Sequence, residues 1–162
     1  MFCLLLAACI AAPESNCPYK GEPDYAPSAG CLTVVHGKML VVDSRAGGLT
    51  PPGGKTRADE PAQCAAHRET LEETGWHVKL TDLVGIYNYH APNGVTYYRF
   101  SFAAKAIQQV PDAPLDEGII GPVWLSLDEL QARRDQWRSP LVQRCIEDFA
   151  ADPNAFAAIE WN

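Results

Sequence analysis

Apolar residues fall in short blocks over 29–43, where AGCLTVV and MLVVD flank His36-Gly37-Lys38, and this pattern predicts two strands joined as a hairpin. Residues 78–89 and 96–107 are rich in Val, Ile, Tyr and Phe and read as two further strands, joined by the turn Ala91-Pro92-Asn93-Gly94. Pro61 to Thr74 carries a helical signature: Pro61 fits a first turn, Asp59 or Glu60 can cap it, and Gly75 is placed to stop it. Val123-Trp124-Leu125 is a short strand, and Ser126 with Glu129 has the spacing of a capping box opening a helix. Ser139-Pro140 opens a last helix, Leu141 to Ala151, by the same cap-then-proline logic. Between these elements, the Gly/Pro-rich stretch from Gly47 to Gly54 predicts no regular structure, and Asp112 to Gly121 reads as a loop bearing acids. The elements mix as α+β, with no internal repeat and one domain over 29–162.

The chain's 162 residues suffice for a single core. Its first twelve residues, MFCLLLAACIAA, are apolar but too few to span a bilayer, so no transmembrane segment is expected. They suit the apolar part of a secretory signal, and Leu6-Ala7-Ala8-Cys9 resembles a bacterial lipobox with Cys9 as the lipid-anchored residue. The polar, Pro-rich linker 13–28 that follows favours export over a buried N-terminal strand. A periplasmic or secreted location is therefore expected, with the cytoplasm as the alternative. Outside that segment four cysteines remain, and Cys17 and Cys31 bracket a short loop as the expected disulfide pair. Cys64 and Cys145 also read as small buried hydrophobes on helices. No Cys/His ligand spacing points to zinc.

Thirteen basic against 20 acidic residues give a net charge of −7 with no basic run, which excludes a non-specific grip on duplex nucleic acid. The acids have a local arrangement. Glu69, Glu72 and Glu73 stand at i, i+3 and i+4 of the expected helix and project from one face, where like charges repel and weaken it. A divalent cation reverses that penalty, and a hard ion such as Mg²⁺ takes oxygen ligands. The Gly-Gly loop just before lets backbone approach closely, and its carbonyl can be a further ligand. Taken alone, three glutamates also fit a solvated acidic helix face.

The surrounding spacing decides between these readings. In GKTRADEPAQCAAHRETLEETGW, Gly54 is followed after five residues by Glu60, and after seven more by Arg68-Glu69, with Glu72-Glu73, Gly75 and Trp76 completing the pattern. This stretch resembles the signature box of the Nudix hydrolases, the MutT-like family, with every charged and glycine position met. Its one departure is Thr70, where an aliphatic residue is usual. Less specific similarity continues through Tyr98-Arg99-Phe100-Ser101-Phe102, Trp124 to Leu130 and Arg138-Ser139-Pro140-Leu141-Val142. These stretches are similar to the branch of small phosphatases acting on nucleoside tri- and diphosphates and thiamine-type pyrophosphates.

The resemblance implies a Nudix fold: α+β, an α/β/α sandwich with a mixed central sheet. It implies Mg²⁺, with Mn²⁺ able to substitute, held by Glu69, Glu72, Glu73 and the Gly54 carbonyl. One glutamate of the set, or a later acid, is implied to activate the attacking water. Arg68 is implied to orient the helix acids, and Glu60 to support them. A further acid from a late loop joins such sites, and Glu117 or Asp116 are the candidates. The implied partner is a small-molecule diphosphate.

Selectivity falls to residues outside the box. Tyr87, Tyr89, His90, Tyr97, Tyr98 and Arg99 cluster around the expected hairpin, where Tyr89 and Tyr98 can stack on a substrate ring. Arg99, with Lys55 and Arg57 just past the Gly-Gly pair, can meet phosphate. The alternative function is a Nudix-fold binding or sensor module without catalysis, although an intact set of repelling glutamates argues against it. A Ca²⁺-binding structural protein does not explain the glycine and arginine spacing.

Overall fold

The computed structural model describes residues 25–45 and 47–152, built around a mixed sheet of seven strands. The expectations for the signal or lipid-anchor segment 1–12, for most of the linker and for Cys17 lie outside the described residues. The strands are β1 (Tyr25–Val35), β2 (Lys38–Ser44), β3 (Leu49–Thr50), β4 (Gly53–Lys55), β5 (Trp76–His90), β6 (Thr96–Gln109) and β7 (Ile119–Ser126). The helices are α1 (Ala62–Thr74), α2 (Leu127–Ala132) and α3 (Pro140–Ala150), with a 3₁₀ turn at Arg134–Gln136.

β1 and β6 form the central parallel pair, from Tyr25↔Thr96 to Thr33↔Ala104, and the remaining pairings are antiparallel. β1 thus begins at Tyr25, inside the stretch read as linker, because its backbone continues the ladder with β6. The β1–β2 hairpin turns at His36 and Gly37, whose φ angles of 50° and 73° match the right-handed twist of the strands they join.

Alternation along β1 sends side chains to two opposed layers. Ala29 and Cys31 pack with Ala65 and Ala66 of α1, together with Phe102 and Ala104. Leu32 faces the other way, into a cluster with Met39, Val41, Leu125, Leu130, Val142 and Ile146 that buries α2 and α3. The expected α/β/α sandwich is therefore present, with α1 on one face and α3 on the other. Truncating a fully buried member such as Ile146 to alanine costs about 2–5 kcal/mol.

The helix ends largely follow the sequence signals. Gly75 closes α1 with φ 72°, its N–H bonding the Leu71 carbonyl. Ser126 and Glu129 form the reciprocal capping box of α2, and the Ser139 hydroxyl accepts from Val142 N–H at α3. The start of α1 differs. Its N-cap position is Pro61 with no side-chain cap, because the Glu60 carboxylate is taken by the Arg57 N–H and by Arg68.

Two other expectations are corrected. The stretch Gly47 to Gly54 contains β3 and β4, which exist through backbone pairing (Ala29↔Gly54 and Val42↔Thr50) and carry no side-chain pattern to announce them. Cys31 is a free, buried thiol 3.6 Å from the Ala66 carbonyl, so it does not pair with Cys17. Cys64 is disulfide-bonded, whereas Cys145 is free and buried. No helix among the described residues is long and apolar enough to cross a membrane.

Candidate active site

The buried face of α1 is Ala65, Ala66, Glu69, Thr70, Glu73 and Thr74, so two carboxylates occupy positions where an ordinary helix packs hydrophobes. Thr70 tolerates its full burial by donating its hydroxyl to the Ala66 carbonyl at 2.7 Å, one turn back, which accounts for a threonine at an aliphatic position of the box.

Arg68 organises the acids. Its Nε and Nη2 donate to the two oxygens of Glu60 at 2.7 and 2.8 Å, and Nη2 also reaches the Lys55 carbonyl at 3.1 Å. Its Nη1 donates to Glu69 Oε1 at 2.6 Å and to Glu72 Oε2 at 2.8 Å. Five charge-assisted contacts from one planar group fix the relative positions of three carboxylates. The bonds from Arg68 hold the Glu60 carboxyl down at about 2, and Glu60 in turn raises the Arg68 pKa. Burial acts oppositely on the inner acids. It raises Glu69 and pushes Glu73 up to about 7, even though the Gly53 N–H donates to Glu73 Oε2 at 2.8 Å.

Glu69, Glu72 and Asp116 each offer a carboxylate oxygen, and these oxygens lie within 4.8 Å of one another. Oxygens on opposite sides of one Mg²⁺ or Ca²⁺ are about 4–5 Å apart, so the group can chelate a hard cation. Asp116 arrives there through backbone: its N–H bonds the Glu72 carbonyl at 2.9 Å, while Val110 N–H bonds the Gly75 carbonyl at 2.8 Å and ties the loop to the end of α1. Of the two late-loop candidates, Glu117 is exposed and outside the group. Glu73 also stands outside it, anchored to Gly53. Gly54 abuts the group, since a Cβ there would lie 2.5 Å from Glu69 Oε2.

β4, whose Gly54 abuts Glu69 and whose Gly53 N–H bonds Glu73, also lines an open cleft of about 380 Å³. Of the expected substrate contacts, Lys55, Tyr89 and Arg99 line it. Arg57 lies instead on the acidic side, 3.1 Å from Glu72 Oε1. Tyr98 falls between Tyr97 and Arg99 on β6, and alternation turns it to the α1 face of the sheet. Tyr97, the register partner of Tyr89, takes the ring position that the sequence reading gave to Tyr98. The reading also missed Arg138, which lines the cleft beside the Ser139 cap of α3. Its only sequence signal is a cation just ahead of a helix start. Arg99 is 7% exposed and donates Nη2 to the carbonyls of Pro51 and Pro52 at 3.3 and 3.4 Å.

Comparison with known proteins gives a consistent likeness. A family model described as NUDIX domain matches residues 24–145. Phosphatase NudJ of Escherichia coli K12 is 33% identical over 122 residues, covering 74% of this chain and 79% of that protein. Among solved structures, a NUDIX hydrolase from Nitrosomonas europaea superposes with a TM-score of 0.74 at 36% identity, covering 78% of this chain and 88% of the other. A MutT NUDIX hydrolase from Burkholderia pseudomallei shares the fold at a TM-score of 0.67 and 23% identity, over 76% of this chain and 97% of that one.

Proposed function

This chain belongs to the Nudix hydrolase family, and from that premise we propose that it hydrolyses a phosphoanhydride bond of a nucleoside di- or triphosphate-like or thiamine-diphosphate-like substrate, using Mg²⁺ or Mn²⁺. The observation that carries the reading is the convergence of Glu69, Glu72 and Asp116 on one point, with Arg68 fixing the two glutamates from behind. Glu69, Glu72 and Asp116 would hold a divalent cation, which when bound would supply charge neutralisation at the phosphate oxygens and a more acidic water. The chain's own residues do the rest. Arg68 holds Glu69 and Glu72 apart and oriented, so little rearrangement is needed when substrate binds. Gly54, lacking a Cβ, leaves the space that the Glu69 carboxylate itself fills. A carboxylate of the α1 set accepts the proton of the attacking water, and the phosphorus–oxygen bond to the leaving group breaks as the new one forms. Lys55 and Arg99 meet the remaining phosphate charge, and Tyr89 offers a ring to stack on. The E. coli relative is named a phosphatase, which supports release of phosphate.

The test is release of phosphate and pyrophosphate from nucleoside tri- and diphosphates, thiamine diphosphate, dinucleoside polyphosphates and nucleotide sugars, with Mg²⁺, Mn²⁺ or EDTA. Turnover on at least one substrate that stops in EDTA supports the hydrolase. Folded, metal-loaded protein that turns over none of them points to a binding module.

A further inference from the structure

Both oxygens of Glu72 are taken by guanidinium groups: Oε2 by Arg68 Nη1 at 2.8 Å and Oε1 by Arg57 Nη2 at 3.1 Å. The two arginines hold it in different ways. The Arg68 side chain is 16% exposed and also grips Glu60, Glu69 and the Lys55 carbonyl, so its contact with Glu72 belongs to a fixed network. The Arg57 side chain is 65% exposed and reaches Glu72 through one nitrogen. The root of that side chain is nevertheless anchored. Arg57 N–H donates to Glu60 Oε2 at 2.9 Å, Glu60 N–H donates to the Arg57 carbonyl at 3.2 Å, and Thr56 N–H bonds the Pro27 carbonyl at 3.0 Å. The guanidinium is thus the tip of a long arm fixed at its base, and it lies on one of the three acids able to hold a metal ion.

Resting on the metal-site reading above, we propose that Arg57 is the site's resident cation: it neutralises Glu72 in the metal-free chain and gives that carboxylate up when a divalent ion enters. The contacts decide which arginine yields. Releasing Arg68 would strand the buried Glu69 and break the pair with Glu60, whereas one exposed ion pair is worth no more than about fivefold in an equilibrium constant. Two positive charges placed among Glu69, Glu72 and Asp116 repel the guanidinium at Glu72 and compete with it for the same oxygens. Arg57 therefore raises the metal concentration at which the site fills. It acts through Glu72 without touching the reacting atoms. Because a single contact carries the effect, the point charge of a lysine serves as well.

The experiment is calorimetric titration of the full chain with Mn²⁺, at low salt and in about 0.5 M KCl, for wild type, Arg57→Gln and Arg57→Lys. Both variants fold, since they keep the backbone bonds of Arg57 and change only an exposed side chain. At low salt Arg57→Gln is expected to bind Mn²⁺ at least about threefold more tightly than wild type, and Arg57→Lys within about twofold of it. In KCl the advantage of Arg57→Gln shrinks, because an exposed pair is screened. A merely structural part for Arg57 gives the opposite sign, since loosening the acids weakens their hold on an ion. Arg57→Gln that binds Mn²⁺ no more tightly than wild type, Arg57→Lys that gains as much as Arg57→Gln, or an advantage undiminished in KCl overturns the proposal. Wild type that binds no Mn²⁺ overturns it together with the metal-site reading. Mn²⁺ bound as expected, with no turnover of any diphosphate, spares the part given to Arg57 and refutes the hydrolase alone.

Discussion

The guanidinium of Arg68 grips Glu60 through two parallel bonds, Nε to Oε1 at 2.7 Å and Nη2 to Oε2 at 2.8 Å, leaving Nη1 to span Glu69 and Glu72. The side chains of Arg68 and Glu60 are only 16% and 14% exposed, so the pair is poorly screened. A lysine provides a point charge and cannot hold three carboxylates at once. Arg68→Lys is expected to lower stability by about 2–4 kcal/mol in EDTA. Mg²⁺ should recover part of that loss, because a cation among the acids relieves the same repulsion. Thermal melts with and without Mg²⁺ check this, and an unchanged melting temperature in EDTA contradicts it.

The Glu60–Arg68 pair also has a pH signature. The Glu60 carboxyl is held at about 2 in the folded chain against an ordinary value of 4.5, so its contribution is complete above 4.5 and lost as pH falls toward 2. Denaturant titrations of wild type and Glu60→Gln should show the widest stability gap near neutral pH. The gap should narrow only below about pH 4.5 and close near about pH 2. A gap that stays constant over that range would separate the stability effect from the ion pair.

Gly54 and Gly121 form a matched steric test. A methyl group at Gly54 would meet all three carboxyl atoms of Glu69 at 2.5–2.7 Å, whereas one at Gly121 meets nothing within 4 Å. Gly54→Ala should destabilise the chain by about 1–3 kcal/mol and lower kcat/KM at least about tenfold by displacing Glu69. Gly121→Ala should be neutral in both assays. Equal behaviour of the two variants would show that Gly54 does not set the position of Glu69.

Asp116 and Glu117 are adjacent in sequence, but only Asp116 joins Glu69 and Glu72. Asp116→Asn should weaken Mn²⁺ binding by about 10–100-fold, read by calorimetry or electron paramagnetic resonance, while Glu117→Gln leaves it within about threefold. The reverse order would assign the late-loop acid to Glu117.

How much of this was legible in the sequence follows from what kind of signal each residue leaves. The strands β5 and β6 and the capping box at Ser126 were readable because period-two alternation and cap spacing are local. α1 was readable through Pro61 at its start and Gly75 at its stop, although its hydrophobic pattern is poor, since Glu69 and Glu73 sit on its buried side. β3 and β4 were not readable, because Gly53 and Thr50 become strand residues only through distant backbone partners. Arg138 was missed for a similar reason: it reaches the cleft with Arg99 only once α3 packs on the sheet. Asp116 was named without being separable from Glu117, because the bond from its N–H to the Glu72 carbonyl is a tertiary contact.

The most direct test is phosphate release from nucleoside diphosphates in Mg²⁺, measured side by side for wild type and Glu72→Gln, with melting curves to show that both fold. The account predicts turnover by wild type that EDTA abolishes, and a loss of at least about a hundredfold in the variant. Equal turnover by the two proteins, or wild-type turnover that persists in EDTA, would contradict a metal held by Glu69, Glu72 and Asp116.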